Sequence, residues 1–199
     1  MPFSTDTMWP QGLLDIFESY RNKKRSPLEY LYFGPYIKLL NYAIVEDSFT
    51  LFVTPQTTND ETSLDDYVPG PFATFLVVMN KEHKPILFVD IKPDEWADDS
   101  YCRRNADIQM RGRFEEIRYI CPIPRLYGLS LLGTSLRVYC SDTATNITTP
   151  PFVRDLGEDI TPSDFLQGQW SLDILSPEGL TKMQEIIGYI KAEVKAANV

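Results

Sequence analysis

Apolar residues along the chain recur first at helical and then at strand spacing. Leu13, Leu14, Phe17 and Tyr20 share one face of a helix expected over 10–23. The basic run Lys23-Lys24-Arg25 closes it, at the end where cations suit the helix dipole. Ser26-Pro27-Leu28-Glu29 reads as a second helix start, with serine as cap, proline in the first position and Glu29 at the capping-box position. Helical character continues through Phe33, and Gly34-Pro35 predicts a break or kink before 36–41.

The period then changes to two. Phe49, Leu51 and Val53 alternate along a strand over 48–54. The polar, acidic stretch 55–71 is long for a loop in a compact domain, which marks it as mobile or functional. Residues 72–79 and 85–92 are nearly continuous apolar runs joined by Asn80-Lys81-Glu82-His83-Lys84. That pattern predicts a hairpin covered on both faces, central to a sheet. A helix follows over 97–119, with Ala106, Met110, Phe114 and Ile117 inward, until Cys121-Pro122-Ile123-Pro124 stops it. Strands over 125–130 and 134–141 turn at Gly133. A Pro-rich irregular segment covers 142–170, and Ser176-Pro177-Glu178 opens a last helix that buries Leu180, Met183, Ile186, Ile187 and Ile190.

This order predicts one α/β (α+β) domain, a central mixed sheet flanked by helices with an extra C-terminal hairpin and helix. Residues 1–25 read as an N-terminal helical extension, 26–140 as the core, and 141–199 as the Pro-rich segment plus the final helix. With 199 residues, 43% hydrophobic and 24% charged, the chain is long enough to bury a core and too apolar to be disordered. A net charge of −9 excludes a broad basic nucleic-acid footprint, though not a local cleft or a site that meets phosphate through a divalent cation. No run approaches the roughly 20 apolar residues of a membrane helix. The opening residues show no secretory pattern, so the expected location is cytoplasmic or nuclear, not secreted. Cys102, Cys121 and Cys140 form no close pair and read as small buried hydrophobes in a reducing compartment.

The chemistry concentrates in Phe88-Val89-Asp90-Ile91-Lys92-Pro93. Asp90 and Lys92 stand two residues apart on an apolar strand, so their side chains share one face. Placing an acid and a base there costs desolvation energy. A structural ion pair at the strand end is one explanation. The other is metal-assisted phosphodiester hydrolysis, with the carboxylate on a hard cation and the lysine on the attacking water.

Asp90-Ile91-Lys92, closing a hairpin immediately before a helix, within the order α-β-β-β-α-β, resembles the PD-(D/E)XK or restriction-endonuclease-like nuclease superfamily. The resemblance covers roughly residues 26–140 and is similar in texture to divergent fungal members. It implies an αβββαβ core, Mg2+ or Mn2+ as cofactor and nucleic acid as partner. It also implies a metal ligand at Asp90, a water-orienting Lys92, a site glutamine at Gln109 on the following helix, and a first-helix acid at Glu29. The first acid of the family pattern belongs early in the hairpin's first strand, but Pro71-Phe72-Ala73-Thr74-Phe75 carries none. Asp65 and Asp66, in the loop before it, are the nearest substitutes. Two functions therefore stand side by side. One is a metal-dependent nuclease; the other is a catalytically degenerate nuclease fold acting as a binding or interaction module with a protein partner.

Arg103, Arg104, Arg111, Arg113 and Arg118 could form a phosphate rim with Lys92 and Lys38. The favoured expectation is a solvated helix face paired with acids such as Asp94, Asp98 and Glu116. His83, the single histidine, is expected to be exposed in the hairpin turn. Tyr30, Tyr32, Phe33, Tyr36 and Tyr42 are expected mainly to pack helix against sheet.

Overall fold

The computed structural model describes residues 2–21, 32–44, 50–57, 74–154 and 161–197. Two helices, α1 (Pro2–Thr5) and α2 (Gln11–Arg21), precede α3 (Phe33–Ile44). Strands β1 (Leu51–Thr57), β2 (Thr74–Asn80) and β3 (Pro85–Lys92) follow, then a 3₁₀ turn at Asp94–Ala97 and α4 (Ser100–Ile117). The chain continues through β4 (Arg125–Leu132), β5 (Ser135–Asp142), the two-residue strands β6 (Thr148–Thr149) and β7 (Leu172–Asp173), and α5 (Pro177–Ala197).

These strands form one mixed sheet in the order β1-β2-β3-β4-β5-β6, with β7 also on β5. The expected hairpin is present, β2 running antiparallel to β3 with Leu76 opposite Val89. Helix α4 returns the chain so that β4 lies parallel to β3, the connection a parallel pair requires. Every residue of β3 is buried, as its unbroken apolar run demands. Leu87, Val89 and Ile91 face a core built from α2, α3 and α5, including Phe17, Leu39, Leu40, Met183 and Ile187. Phe88 faces the other way, toward Met110 and Phe114 of α4. The sheet is thus the middle of three layers. The N-terminal residues Phe3 and Trp9 belong to the first core, and the buried Trp9 indole N–H donates to the Ile174 carbonyl at 2.8 Å. The segment read as an extension is therefore integral to the packing.

Helix α4 sits close to the sheet because β4 offers Gly128 beneath it. A Cβ there would stand 2.6 Å from Met110 Cε and 2.8 Å from Phe88 Cζ. Gly133, at φ 60°, makes the tight β4–β5 turn, and its amide donates to the Lys92 carbonyl at 2.8 Å. Gly34-Pro35 does not interrupt the chain as expected; both lie within the first turn of α3. Proline is tolerated there because the amide it lacks would have no intrahelical acceptor. The helix start read at Ser26 to Glu29 lies outside the described residues. Tyr32, Phe33 and Tyr36 are buried, as the packing expectation has it, and Tyr30 is outside the described residues.

Candidate functional site

Alternation along β3 sends Phe88, Asp90 and Lys92 to the α4 side of the sheet. Asp90 is 4% and Lys92 3% exposed, and Lys92 Nζ lies 3.6 Å from Asp90 Oδ1. The ammonium also sits 5.2 Å from the ring centre of Trp96 in the following 3₁₀ turn, a cation–π contact. Across the sheet, Asp90 is in register with Phe75 on β2 and Ser130 on β4, and Ser130 with Arg137 on β5. The result is a buried polar row, Asp90-Ser130-Arg137, on one face of three adjacent strands. Ser130 Oγ accepts from the Trp170 indole N–H at 3.1 Å.

Three atoms of this region have no hydrogen-bond partner among the described residues: Asp90 Oδ2, Gln109 Oε1 and Arg137 Nε. Gln109 lies on the flank of α4 opposite Asp107, one turn before Arg113. The Arg113 guanidinium covers the ring of Phe75 at 4.4 Å, and Phe75 faces Asp90. That stripe of α4 is therefore the one turned toward β2, the strand beside Asp90. Glu29, Asp65 and Asp66 lie outside the described residues. Among the described residues no group of three or more His, Cys, Asp or Glu side chains is placed to hold a metal ion.

The opposite flank of α4 carries a second charged centre. Asp107, 2% exposed, accepts from Arg137 Nη1 at 3.0 Å, from the Tyr139 hydroxyl at 2.7 Å and from Arg111 Nε at 2.8 Å. Burial, with the Asp107 charge beside it, pushes the Tyr139 phenol far above its ordinary range, so it remains a donor. Sequence reading missed this centre, although two signals were present. Arg103, Asp107 and Arg111 repeat at intervals of four on one helix, and Arg137 interrupts an apolar strand.

Two of the helix arginines, Arg103 and Arg113, depart from the solvated face that was expected. Arg103 is buried and donates to the Ala97, Ser163 and Phe165 carbonyls, pinning the 161–170 segment onto α4. Arg113 is buried as well, and of the expected pairs it makes the one to Glu116 at 2.9 Å. Lys38 is exposed on α3, in the layer across the sheet from Lys92, and so joins no common rim. His83 is exposed in the hairpin turn, as expected, at φ 60°.

No family model matches the chain, and neither does any curated protein or solved structure.

Proposed function

We propose that this protein hydrolyses phosphodiester bonds of nucleic acid in a metal-dependent reaction of the PD-(D/E)XK type, with Asp90 and Lys92 at its centre. The observation that carries this reading is Asp90 Oδ2, a carboxylate oxygen buried without a donor among the described residues. Leaving such a group unsatisfied costs about 1–3 kcal/mol or more, and a bound cation removes that cost. Gln109 Oε1 is a second oxygen in the same condition, on the α4 stripe turned toward β2. Both are the hard oxygen donors that magnesium and manganese select. Magnesium keeps several waters and is often held by only one or two carboxylates with substrate phosphate, so this donor set fits.

In this reading Asp90 holds the cation and Gln109 supports it. The cation supplies Lewis-acid polarisation of the phosphoryl group. Lys92, 3.6 Å from Asp90 Oδ1, orients the attacking water and offsets the negative charge that grows on the phosphoryl oxygens. The β1–β3 meander, the crossover through α4 and the parallel β4 support the reading too, because they put Asp90-Ile91-Lys92 at the end of a central strand.

Phe75 favours a second reading. It occupies the β2 position opposite Asp90, on the strand where the family pattern calls for another acid. On that reading the scaffold is a catalytically degenerate binding or interaction module, and Asp90–Lys92 is a structural ion pair. The deciding experiment assays single- and double-stranded DNA and RNA with manganese, using wild type, Asp90→Asn and Lys92→Met, beside a calorimetric metal titration. Cleavage lost in both variants sustains the nuclease reading. Absence of both cleavage and metal heat in wild type leaves the binding module.

A further inference from the structure

Asp90 and Lys92 are 4% and 3% exposed, so a nucleic-acid strand in solution reaches neither. We propose that residues 161–170 form a strap that closes this site, and that substrate enters only when the strap lifts. The proposal rests on the phosphodiester reading for its substrate, and it concerns how that same site is regulated.

The strap stands on the two β4 residues that flank the pair. Ser130 lies in register beside Asp90, and its hydroxyl oxygen accepts from the Trp170 indole N–H at 3.1 Å. Leu132 lies in register beside Lys92, and it shares one buried cluster with Leu166 and Trp170 of the strap and Ala106 of α4. Trp96, whose ring centre is 5.2 Å from the Lys92 ammonium, packs against the same cluster. The Arg137 guanidinium, third in the polar row, lies 5.1 Å from the Trp170 ring centre. Trp170 therefore covers the row from the β4 and β5 side, and Trp96 carries the cover on to Lys92.

Of the walls described around the pair, this one detaches most readily. Strand β2 is held by ladders to both β1 and β3, and α4 is a helix of 18 residues. Residues 161–170 instead form successive turns, with the Phe165 amide donating to the Pro162 carbonyl and the Gln167 amide to the Asp164 carbonyl, each at 2.9 Å. Leu166 sits at φ 54°, in the left-handed region that a β-carbon disfavours, so the turn is held by its anchors and not by its own preference. The anchors are side chains. Arg103 donates to the Ser163 carbonyl at 2.8 Å and the Phe165 carbonyl at 2.9 Å, Leu166 fills the cluster over Leu132, and the Trp170 indole holds Ser130. A segment tied by side chains opens at lower free energy than the ladders beneath it. Its release uncovers Ser130 and Leu132, and with them the edge of the Asp90–Lys92 pair, in one movement.

The test begins with hydrogen exchange of the full wild-type chain, followed by NMR, comparing the Trp170 indole N–H with the amides of β3 and β4. The indole should exchange through local opening, protected about 10- to 1,000-fold, as an open state populated at about 0.1–10% gives. The strand amides should wait for global unfolding. An indole that exchanges only at the strand rate would overturn the strap. Trp170→Ala and Arg103→Met each remove one anchor. Acetic anhydride labelling, read by mass spectrometry against the exposed Lys81, should reach Lys92 about tenfold or more faster in each variant than in wild type. Manganese-dependent cleavage of single- and double-stranded DNA and RNA should gain a similar factor in kcat/KM, because apparent affinity scales with the open fraction. A segment that only supports the fold gives lower urea midpoints with no gain in either rate, and that result overturns the proposal. Where one variant does not fold, the other and the wild-type exchange decide. Faster labelling of Lys92 without cleavage by any of the proteins sinks the hydrolysis reading alone. Cleavage by wild type that is no faster in either variant, with Lys92 labelling unchanged, sinks the strap alone.

Discussion

Phe75 on β2 stands directly opposite Asp90 on β3, so an aromatic ring and a carboxylate are neighbours on the covered face of the sheet. The ring is capped by the Arg113 guanidinium at 4.4 Å and gives the carboxylate no hydrogen bond. Asp90 takes its counter-charge instead from Lys92, on its own strand. Both ions have left water for an apolar surrounding, an arrangement that costs several kcal/mol per ion before the pair repays any of it.

Separating that pair should expose the cost. Lys92→Met leaves Asp90 buried without its cation and should destabilise the fold by about 3–5 kcal/mol. The double variant Asp90→Leu/Lys92→Met removes both charges and should be neutral or more stable than wild type by about 1–4 kcal/mol. Urea unfolding of the two variants checks this. A single variant as stable as wild type would mean that the ions are not buried against each other in solution.

Asp107 binds α4 to β5. Asp107→Ala leaves Arg137, whose side chain is 4% exposed, without its counter-charge, and should cost about 3–5 kcal/mol. Asp107→Asn keeps an acceptor for the Tyr139 hydroxyl and should cost less. Denaturant midpoints for the two variants order them.

Gly128 sets the distance between α4 and the sheet. A Cβ at this position meets Met110, Phe88 and Phe114 within 2.9 Å, so Gly128→Ala should destabilise by about 1–3 kcal/mol through overpacking. Gly128→Ala/Met110→Ala makes room at one of these contacts and should lose less than the sum of the two single changes. A double-mutant cycle measures the difference.

Cys121 should titrate late. Burial pushes its thiol up to about 11 from an ordinary 9.0, the Ile123 carbonyl accepting from Sγ at 3.5 Å. Alkylation of the native protein near pH 8 should therefore run about a hundredfold slower than at an exposed cysteine. The folded state holds this proton more tightly than the unfolded chain does. Its contribution to stability is complete below the unfolded value of 9.0 and is lost as pH rises through about 11. Cys121→Ala should flatten that part of the stability–pH curve, measured by urea midpoints across the window.

Local order in the chain was enough to read what depends on near neighbours. The two apolar runs around Asn80 to Lys84 dictate the β2–β3 hairpin, because a period of two with no polar face demands cover on both sides. The repeat of Ala106, Met110 and Phe114 dictates the buried stripe of α4. Spacing likewise puts Asp90 and Lys92 on one face, and they meet at 3.6 Å. Tertiary structure decided which charges are buried. Arg103 and Arg113 carry the same spacing as solvated helix residues, yet they are covered because the 161–170 segment and β2 pack over them. Asp107 meets Arg137 and Tyr139 across 30 and 32 residues. No local period encodes such a meeting, since it depends on β5 folding back beside β4 under the far flank of the helix.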